Sequence, residues 1–372
     1  MKWMFWVAAA LVLYTYIGYA AWLWVRAALF PRPVRRGAYQ PSISIVMVVR
    51  NEEKILSEKL TNLLELDYPK DLCEVVVVSD GSTDGTERIL RECGNSRVRI
   101  VLNQLPMGKA CGLNDGIQMS QGELVMFTDA RQKIEAGALG LLAENFADPE
   151  IGCVSGELML GDPLQGESAE GVSQYWLIEK KVRELEAASG SVVGATGAFY
   201  AVRRELLNSI PEGTILDDVY IPMQVVRQGK RVIFEPRARA WDRPDLGADR
   251  EFARKVRTLG GNYQLLQLAP WLLSSQNPIR FEFISHKLLR LAVPFALAII
   301  LVTSALLPGP LYQFALLMQL IFYGLSLLAA LRLGRGPLGR AVNVASTFVM
   351  LNTAAVVAFA NFVAGRKPGW GR

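Results

Sequence analysis

Glu74-Val-Val-Val-Val-Ser-Asp-Gly-Ser-Thr-Asp84 is a short apolar run that stops abruptly in carboxylates and turn formers. Four successive valines favour a strand buried on both faces, and Gly81 with its polar neighbours ends it. Two more runs repeat the pattern: Ser42–Val49 ends in Arg50-Asn51-Glu52, and Glu123–Phe127 ends in Thr128-Asp129-Ala130-Arg131. Between Ser42 and about Gln264 such runs alternate with helical periodicity, which predicts an α/β domain with a largely parallel sheet. Ligands of open α/β sheets bind beyond the carboxyl ends of the strands, so the three polar clusters are expected to converge on one site. Asp84, just before a helix start, reads better as a cap. Asp80 and Asp129 stand where their strands stop and read better as functional.

A dinucleotide-binding domain would need a glycine-rich turn after its first strand, and the turn after Val49 has none, which argues against an NAD enzyme. The 372 residues contain one histidine, His286, and four cysteines without CxxC spacing, so a zinc site or disulfide framework is not expected. A net charge of +5 from scattered Lys and Arg, without interleaved aromatic and basic residues, points away from nucleic acid and toward anionic lipid or a nucleotide phosphate.

Hydrophobic residues make up 51% of the chain and are concentrated at its ends. The run WVAAALVLYTYIGYAAWLWV, within Met4 to Leu29, is long enough to cross a bilayer and carries interfacial Trp and Tyr. It exceeds the apolar core of a signal peptide and lacks a small-residue cleavage site, so it reads as a retained anchor. Apolar sequence from Leu288 to Val363, broken at Leu307-Pro-Gly-Pro310 and from Arg332 to Arg340, offers three further spans. Arg26, Arg32, Arg35 and Arg36 follow the first span while Lys2 precedes it, placing the central region in the cytosol and the protein in the inner (plasma) membrane as a multi-pass chain. The Arg332 to Arg340 loop should then also face the cytosol. That count leaves the basic tail, Gly365 to Arg372, outside, against the positive-inside trend, unless one late segment lies in the interface. Pro270 to Arg290 mixes aromatic and basic residues and suits the membrane surface. The expected organisation is an anchor at 1–36, an α/β domain at 40–266, an interfacial amphipathic segment at 267–287, about three transmembrane helices at 288–365 and a tail at 366–372.

The segments VVRNEE, VVVVSDGSTDGT, MGKACGLNDGI, LVMFTDAR, GATGAFYAVRRE and ILDDVYIPMQVVRQGKRV, in this order, resemble family 2 glycosyltransferases of GT-A fold, of the membrane-anchored bacterial type. The likeness covers Ser42 to Gln264. It implies an inverting hexosyltransferase using a nucleotide-sugar donor, with UDP preferred. Glu52 and Asp80 would then hold the uracil and ribose, with Arg50, Asn51 and Lys109 nearby, although Lys109 reads equally well as a solvated charge at a helix start.

Asp129 matches the first aspartate of the family's DxD motif, which holds Mg²⁺ or Mn²⁺ on the diphosphate. Arg131 replaces the second aspartate and either pairs with phosphate or points away. Asp218 matches the position of the catalytic base. Asp217 beside it also suits the positive end of a helix dipole. The segment GATGAFYAVRRE resembles the floor of the acceptor pocket, with a close-packed glycine turn as the plainer reading. Arg254-Lys-Val-Arg257-Thr258 falls where processive members carry Gln-Arg-x-Arg-Trp. Gln and Trp are missing, yet Arg257 stays a candidate for contacting the departing diphosphate, with Arg254 a secondary one.

The missing Trp and the few late spans favour single additions to a lipid-linked or glycan acceptor in cell-surface or exopolysaccharide synthesis. A processive polysaccharide synthase would be favoured by more spans or an intact motif. A catalytically inactive glycan-binding scaffold would be favoured by loss of the base, and Asp218 is present. Expected partners are the nucleotide sugar, the acceptor, membrane lipids and other polysaccharide-assembly proteins, and no nucleic acid.

Overall fold

The computed structural model of the chain describes residues 1–161, 174–242, 247–330 and 337–366. The central region forms one eight-stranded sheet: β1 (Ile43–Val49), β2 (Cys73–Asp80), β3 (Val98–Asn103), β4 (Leu124–Thr128), β5 (Lys133–Ile134), β6 (Ile151–Leu160), β7 (Phe199–Arg203) and β8 (Arg231–Asp242). The order is β3-β2-β1-β4-β7-β6-β8-β5.

The expectation of a largely parallel sheet is met: β6 pairs in parallel with β8, and six of the eight strands share one direction. β3, β2, β1 and β4 run parallel, whereas β7 is antiparallel to both β4 and β6, and β5 is antiparallel to β8. Beyond β4 the sheet is therefore mixed. The chain leaves β3 and returns on the other side of β1 as β4, so the switch point that opens a crevice in such sheets lies between β1 and β4.

Period-two alternation distributes the apolar residues over two cores. Val46, Val48, Val76 and Val78 face one; Ile45, Met47, Val75 and Val77 face the other. Helix Lys109–Met119 lies so close to the first face that a Cβ at Gly112 would come within 2.7 Å of Val48 and one at Gly116 within 2.5 Å of Val46. Glycine at those two positions lets the helix approach β1 and sets its first residue, Lys109, over the crevice.

Among the described residues, four helices are long and apolar enough to cross a membrane: Lys2–Leu29, Arg280–Leu306, Pro310–Ala329 and Ala341–Val363. The segment from Pro270 to Arg290 is not one surface element. It divides into a short turn at Pro270–Leu273 and the first turns of the helix Arg280–Leu306. Much of the Arg332 to Arg340 loop (332–336) and nearly all of the tail (367–372) lie outside the described residues.

Candidate active site

The turns after β1 and β2 are tied to each other. Asn51, at φ 58°, accepts the Thr83 amide on Oδ1 at 2.8 Å and donates its own amide to Ser82 Oγ at 3.2 Å. The Glu52 amide donates to Thr86 Oγ1 at 2.9 Å. Asp84 accepts the Thr86 amide at 3.0 Å, which makes it a turn former one residue ahead of the cap position, Gly85, where the helix Thr86–Glu92 has no side-chain cap. Glu52 is only part-exposed. Its carboxyl is held above the usual range by burial first and then by the charges of Asp129 and Asp84, which places it beside Asp129.

Asp80 is fully buried at the end of β2 and accepts the Met107 and Gly108 amides at 2.7 and 3.0 Å. Its carboxylate therefore shapes the loop that leads into Lys109. Each carboxylate oxygen keeps a second acceptor position. Arg50 is half-buried after β1.

Lys109 Nζ stands 3.0 Å from Asp129 Oδ1 and 3.2 Å from Asp217 Oδ2. Burial alone would push its ammonium down, but the two carboxylates more than offset this and hold it above its ordinary value. The Lys109 ammonium is thus largely buried and paired on two sides. One cation joins the end of β4 to the head of helix Asp217–Arg227.

Asp217 is buried, whereas Asp218 is part-exposed. Burial and the charge of Asp217 push the Asp218 carboxyl up to about 6, against the opposing pull of Lys109 and Lys287. Asp217 is also raised, by burial first, with Lys109 opposing. The glycine-rich segment lies directly against this pair. A Cβ at Gly197 would sit 3.1 Å from Asp218 Oδ2, and the Ala195 amide donates to the Asp218 carbonyl at 2.7 Å. Pro222 explains that last bond. Lacking an N–H, it cannot take the carbonyl four residues back, which leaves the Asp218 carbonyl to Ala195.

Arg131 reaches Asp242, the last residue of β8, at 2.6 Å, and Gln132 Nε2 donates to the same oxygen at 3.2 Å. Asp242 escaped the sequence reading although it too ends a strand in a carboxylate. Lys59 escaped it as well. Buried on helix Leu56–Leu64, it donates to Thr128 Oγ1 at 3.0 Å and to the Gln132 carbonyl at 2.6 Å, bracing the turn that carries Asp129. Burial pushes its ammonium down to about 7, with Asp129 opposing.

Arg254 pairs with Glu251 of its own helix, Ala248–Leu268, at 2.5 Å. Arg257 is part-exposed and one turn before Gly261, whose Cβ would meet Leu216 at 2.6 Å. Residues four apart share a helix face, so Arg257 lies on the side turned to the Leu216–Asp218 corner. The described residues thus bring Glu52, Asp129, Lys109, Asp217 and Asp218 to one crevice and leave Arg254 on a local pair.

Among the described residues no group of three His, Cys, Asp or Glu side chains could hold a metal ion. A divalent ion on a diphosphate needs only one or two carboxylates, the rest being phosphate and water. Asp129 is 41% exposed at the crevice and pairs with Lys109 through one oxygen, so its other oxygen fits that lesser demand.

Comparison with known proteins agrees with this architecture. A family model described as "Glycosyl transferase family 2" matches residues 44–210, and one described as "Glycosyl transferase family group 2" matches residues 134–333, more than half of the chain. A poly-beta-1,6-N-acetyl-D-glucosamine synthase of Staphylococcus epidermidis is 24% identical over 234 residues, 62% of this chain and 56% of the relative. One of Staphylococcus aureus (strain COL) is 24% identical over 204 residues, 54% and 49% of the respective chains. The chain thus spans about half the length of the curated relatives it matches. Among solved structures, a mannosyltransferase from Pyrobaculum calidifontis in complex with GDP-Man and Mn²⁺ superposes with a TM-score of 0.74, at 23% identity, over 98% of this chain and 99% of that one. That likeness shows the GT-A fold. With both the sheet and the family model in agreement, the chain belongs to the family 2 glycosyltransferases.

Proposed function

We propose that the protein is an inverting, non-processive glycosyltransferase with Asp218 as its general base. It moves a sugar from a nucleoside diphosphate donor, UDP-linked by preference, to a hydroxyl of a lipid-linked or glycan acceptor. The observation that carries the reading is the Asp218 carboxylate, raised toward neutrality and lying against Gly197 at the end of the crevice away from β1. A base poised near the working pH combines a usable ionised fraction with a strong pull on the proton.

In this reading the acceptor hydroxyl gives its proton to Asp218 as its oxygen bonds to the anomeric carbon. The bond from that carbon to the diphosphate oxygen breaks, and the leaving group takes the electron pair. Lys109 holds positive charge beside the path of the diphosphate, and Arg257 approaches from helix Ala248–Leu268. Arg50, Asn51, Glu52 and Asp80 line the donor end. A divalent ion, Mg²⁺ or Mn²⁺, held by Asp129 would neutralise further phosphate charge. Arg131, engaged with Asp242, supports the reading in which it is turned aside from that ion.

The names of the relatives favour a place in cell-surface or exopolysaccharide synthesis. The arginines after the first span favour a cytosolic active site at the plasma membrane. A reporter fused after Arg36 that answers from outside the cytosol would overturn that orientation. The function itself is tested with purified full-length protein, nucleoside diphosphate release across a panel of nucleotide sugars, and a membrane lipid extract as acceptor source. A product of inverted anomeric configuration, read by NMR, is expected. Retention, or donor cleavage that never depends on the extract, would sink it.

A further inference from the structure

Helix Gln174–Ser189 sets Glu179, Arg183 and Glu186 on one face, at spacings of four and three residues. That face meets the first turns of the apolar helix Arg280–Leu306. Its two carboxylates are fully engaged there. Glu186 accepts from Tyr19 at 2.7 Å and contacts His286 Nδ1 at 2.7 Å; Glu179 contacts His286 Nε2 at 2.7 Å and pairs with Arg290 at 2.6 Å.

Two cations where these helices meet, Arg183 on this face and Lys287 on the facing helix, lack such partners. Among the described residues the Lys287 ammonium makes no ion pair or hydrogen bond, although Lys287 is half-buried. Among the described residues Arg183 donates only to the neutral Thr196 hydroxyl, at 2.6 Å. Thr196 precedes Gly197, the residue that faces the Asp218 carboxylate, so Arg183 reaches the floor of the site from the membrane side. The charged groups that act on Lys287 are Glu179, Arg183, Arg290 and Asp218, from three separate elements. A half-buried ammonium beside two guanidiniums, with its nearby carboxylates turned to other cations, is an unfavourable arrangement that an anion would relieve. The position is the head of a membrane-spanning helix, and the guanidinium fork matches phosphate oxygens.

We propose that Lys287 and Arg183 bind the phosphate of a membrane lipid acceptor, on the membrane side of Asp218. The inference rests on the functional reading above and names the acceptor class. A lipid whose glycan is joined through phosphate would rest that phosphate on the two cations and extend its sugar hydroxyl to Asp218. The apolar tail would leave along Leu289–Leu306.

The test uses the full chain in phosphatidylcholine nanodiscs with farnesyl phosphate, farnesol and inorganic phosphate as probes, and UDP affinity measured in parallel. Farnesyl phosphate should bind at least about tenfold more tightly than farnesol or inorganic phosphate, one charge-assisted contact amounting to about that factor. Lys287→Gln and Arg183→Gln should each weaken it by about tenfold, with Lys287→Arg near wild type and UDP affinity unchanged. Equal binding in wild type and both Gln variants, or equal binding of farnesol, overturns the inference. Inorganic phosphate binding as tightly as the lipid makes a soluble anion the occupant and overturns the lipid assignment. A parallel loss of UDP affinity in the Gln variants assigns the cations to the donor instead. A chain that binds UDP but not farnesyl phosphate loses this inference alone, whereas one that binds neither loses the functional reading as well.

Discussion

Lys109 takes carboxylates from two distant parts of the chain, and this division sets what each aspartate can do. Asp217 is buried on the cation, while Asp218 keeps a part-exposed carboxylate and an elevated affinity for its proton. Asp218→Asn should therefore abolish transfer, with a loss of about 10²- to 10⁴-fold, and leave UDP affinity nearly intact, because the amide cannot accept a proton. Transfer by the wild type should rise with pH through a limb centred near 6. Asp217→Asn removes a charge that raises Asp218 and frees Lys109 to attract it, so its limb should move to lower pH with a smaller loss of turnover. Turnover against pH for both variants decides this, and an acid limb unmoved by Asp217→Asn would count against the coupling. The same shift runs against stability. The folded state binds this proton more tightly than the unfolded chain, so its contribution is complete below the ordinary value of 3.8 and is lost as pH rises through about 6. At Asp129 the expectation concerns metal: Asp129→Ala should lower UDP affinity in Mn²⁺ and leave it little changed in chelator. Calorimetry with the two buffers checks it, and an equal loss in both would assign Asp129 to Lys109 alone.

At the scale of elements, helix Asp217–Arg227 and the 194–198 segment form one device through Pro222. The proline leaves the Asp218 carbonyl to the Ala195 amide, and that bond brings Gly197 against the carboxylate. Pro222→Ala restores an N–H that competes for the carbonyl, so the acceptor floor should loosen while the helix itself gains. The expected result is a rise in acceptor KM with donor affinity unchanged and stability within about 1 kcal/mol of wild type. An unchanged acceptor KM would remove Pro222 from the site. This coupling shows what could and could not be read from the residues alone. Strand ends at Asp80 and Asp129 were legible because four or five apolar residues followed by a carboxylate is a local pattern. Lys59 and Asp242 were not, because each acquires its meaning from a partner about 70 to 110 residues away that only the fold brings near. Asp80 was placed correctly at its strand end, yet the two amides it accepts could not be foreseen without the loop over it. The antiparallel β7 was hidden for a related reason: Phe199–Arg203 has the same apolar character as the parallel strands, and direction is set by pairing and not by composition.

On the scale of the whole molecule, the first apolar helix is fastened to the sheet domain. Arg26 pairs with Glu282, Arg32 with Glu150 at 3.0 Å and Arg36 with Glu235 at 3.1 Å, so arginines that follow the first span also dock it. Two π-helical turns, Tyr14–Gly18 and Ile284–Leu288, meet where Tyr14 bonds Ser285 at 2.9 Å, and each displaces its helix so that polar side chains face inward. Glu186 is the junction. Buried on helix Gln174–Ser189, it serves Tyr19 from the first apolar helix and His286 from helix Arg280–Leu306. Burial opposes its charge, but His286 and the Tyr19 hydroxyl hold its carboxyl below the usual range. That contribution is present above the ordinary value of 4.5 and is lost as pH falls. Glu186→Ala leaves both partners buried without it and should cost about 3 kcal/mol, whereas Tyr19→Phe removes one bond and should cost about 1 kcal/mol. Because the junction joins the two apolar helices to the segment beneath Asp218, Glu186→Ala should also depress transfer to a membrane acceptor more than it depresses UDP binding. Thermal unfolding and the two affinities, measured in the same nanodiscs, test this. Equal stability of Glu186→Ala and wild type would mean that the first apolar helix and the domain are held together elsewhere, by the arginine pairs that precede the sheet.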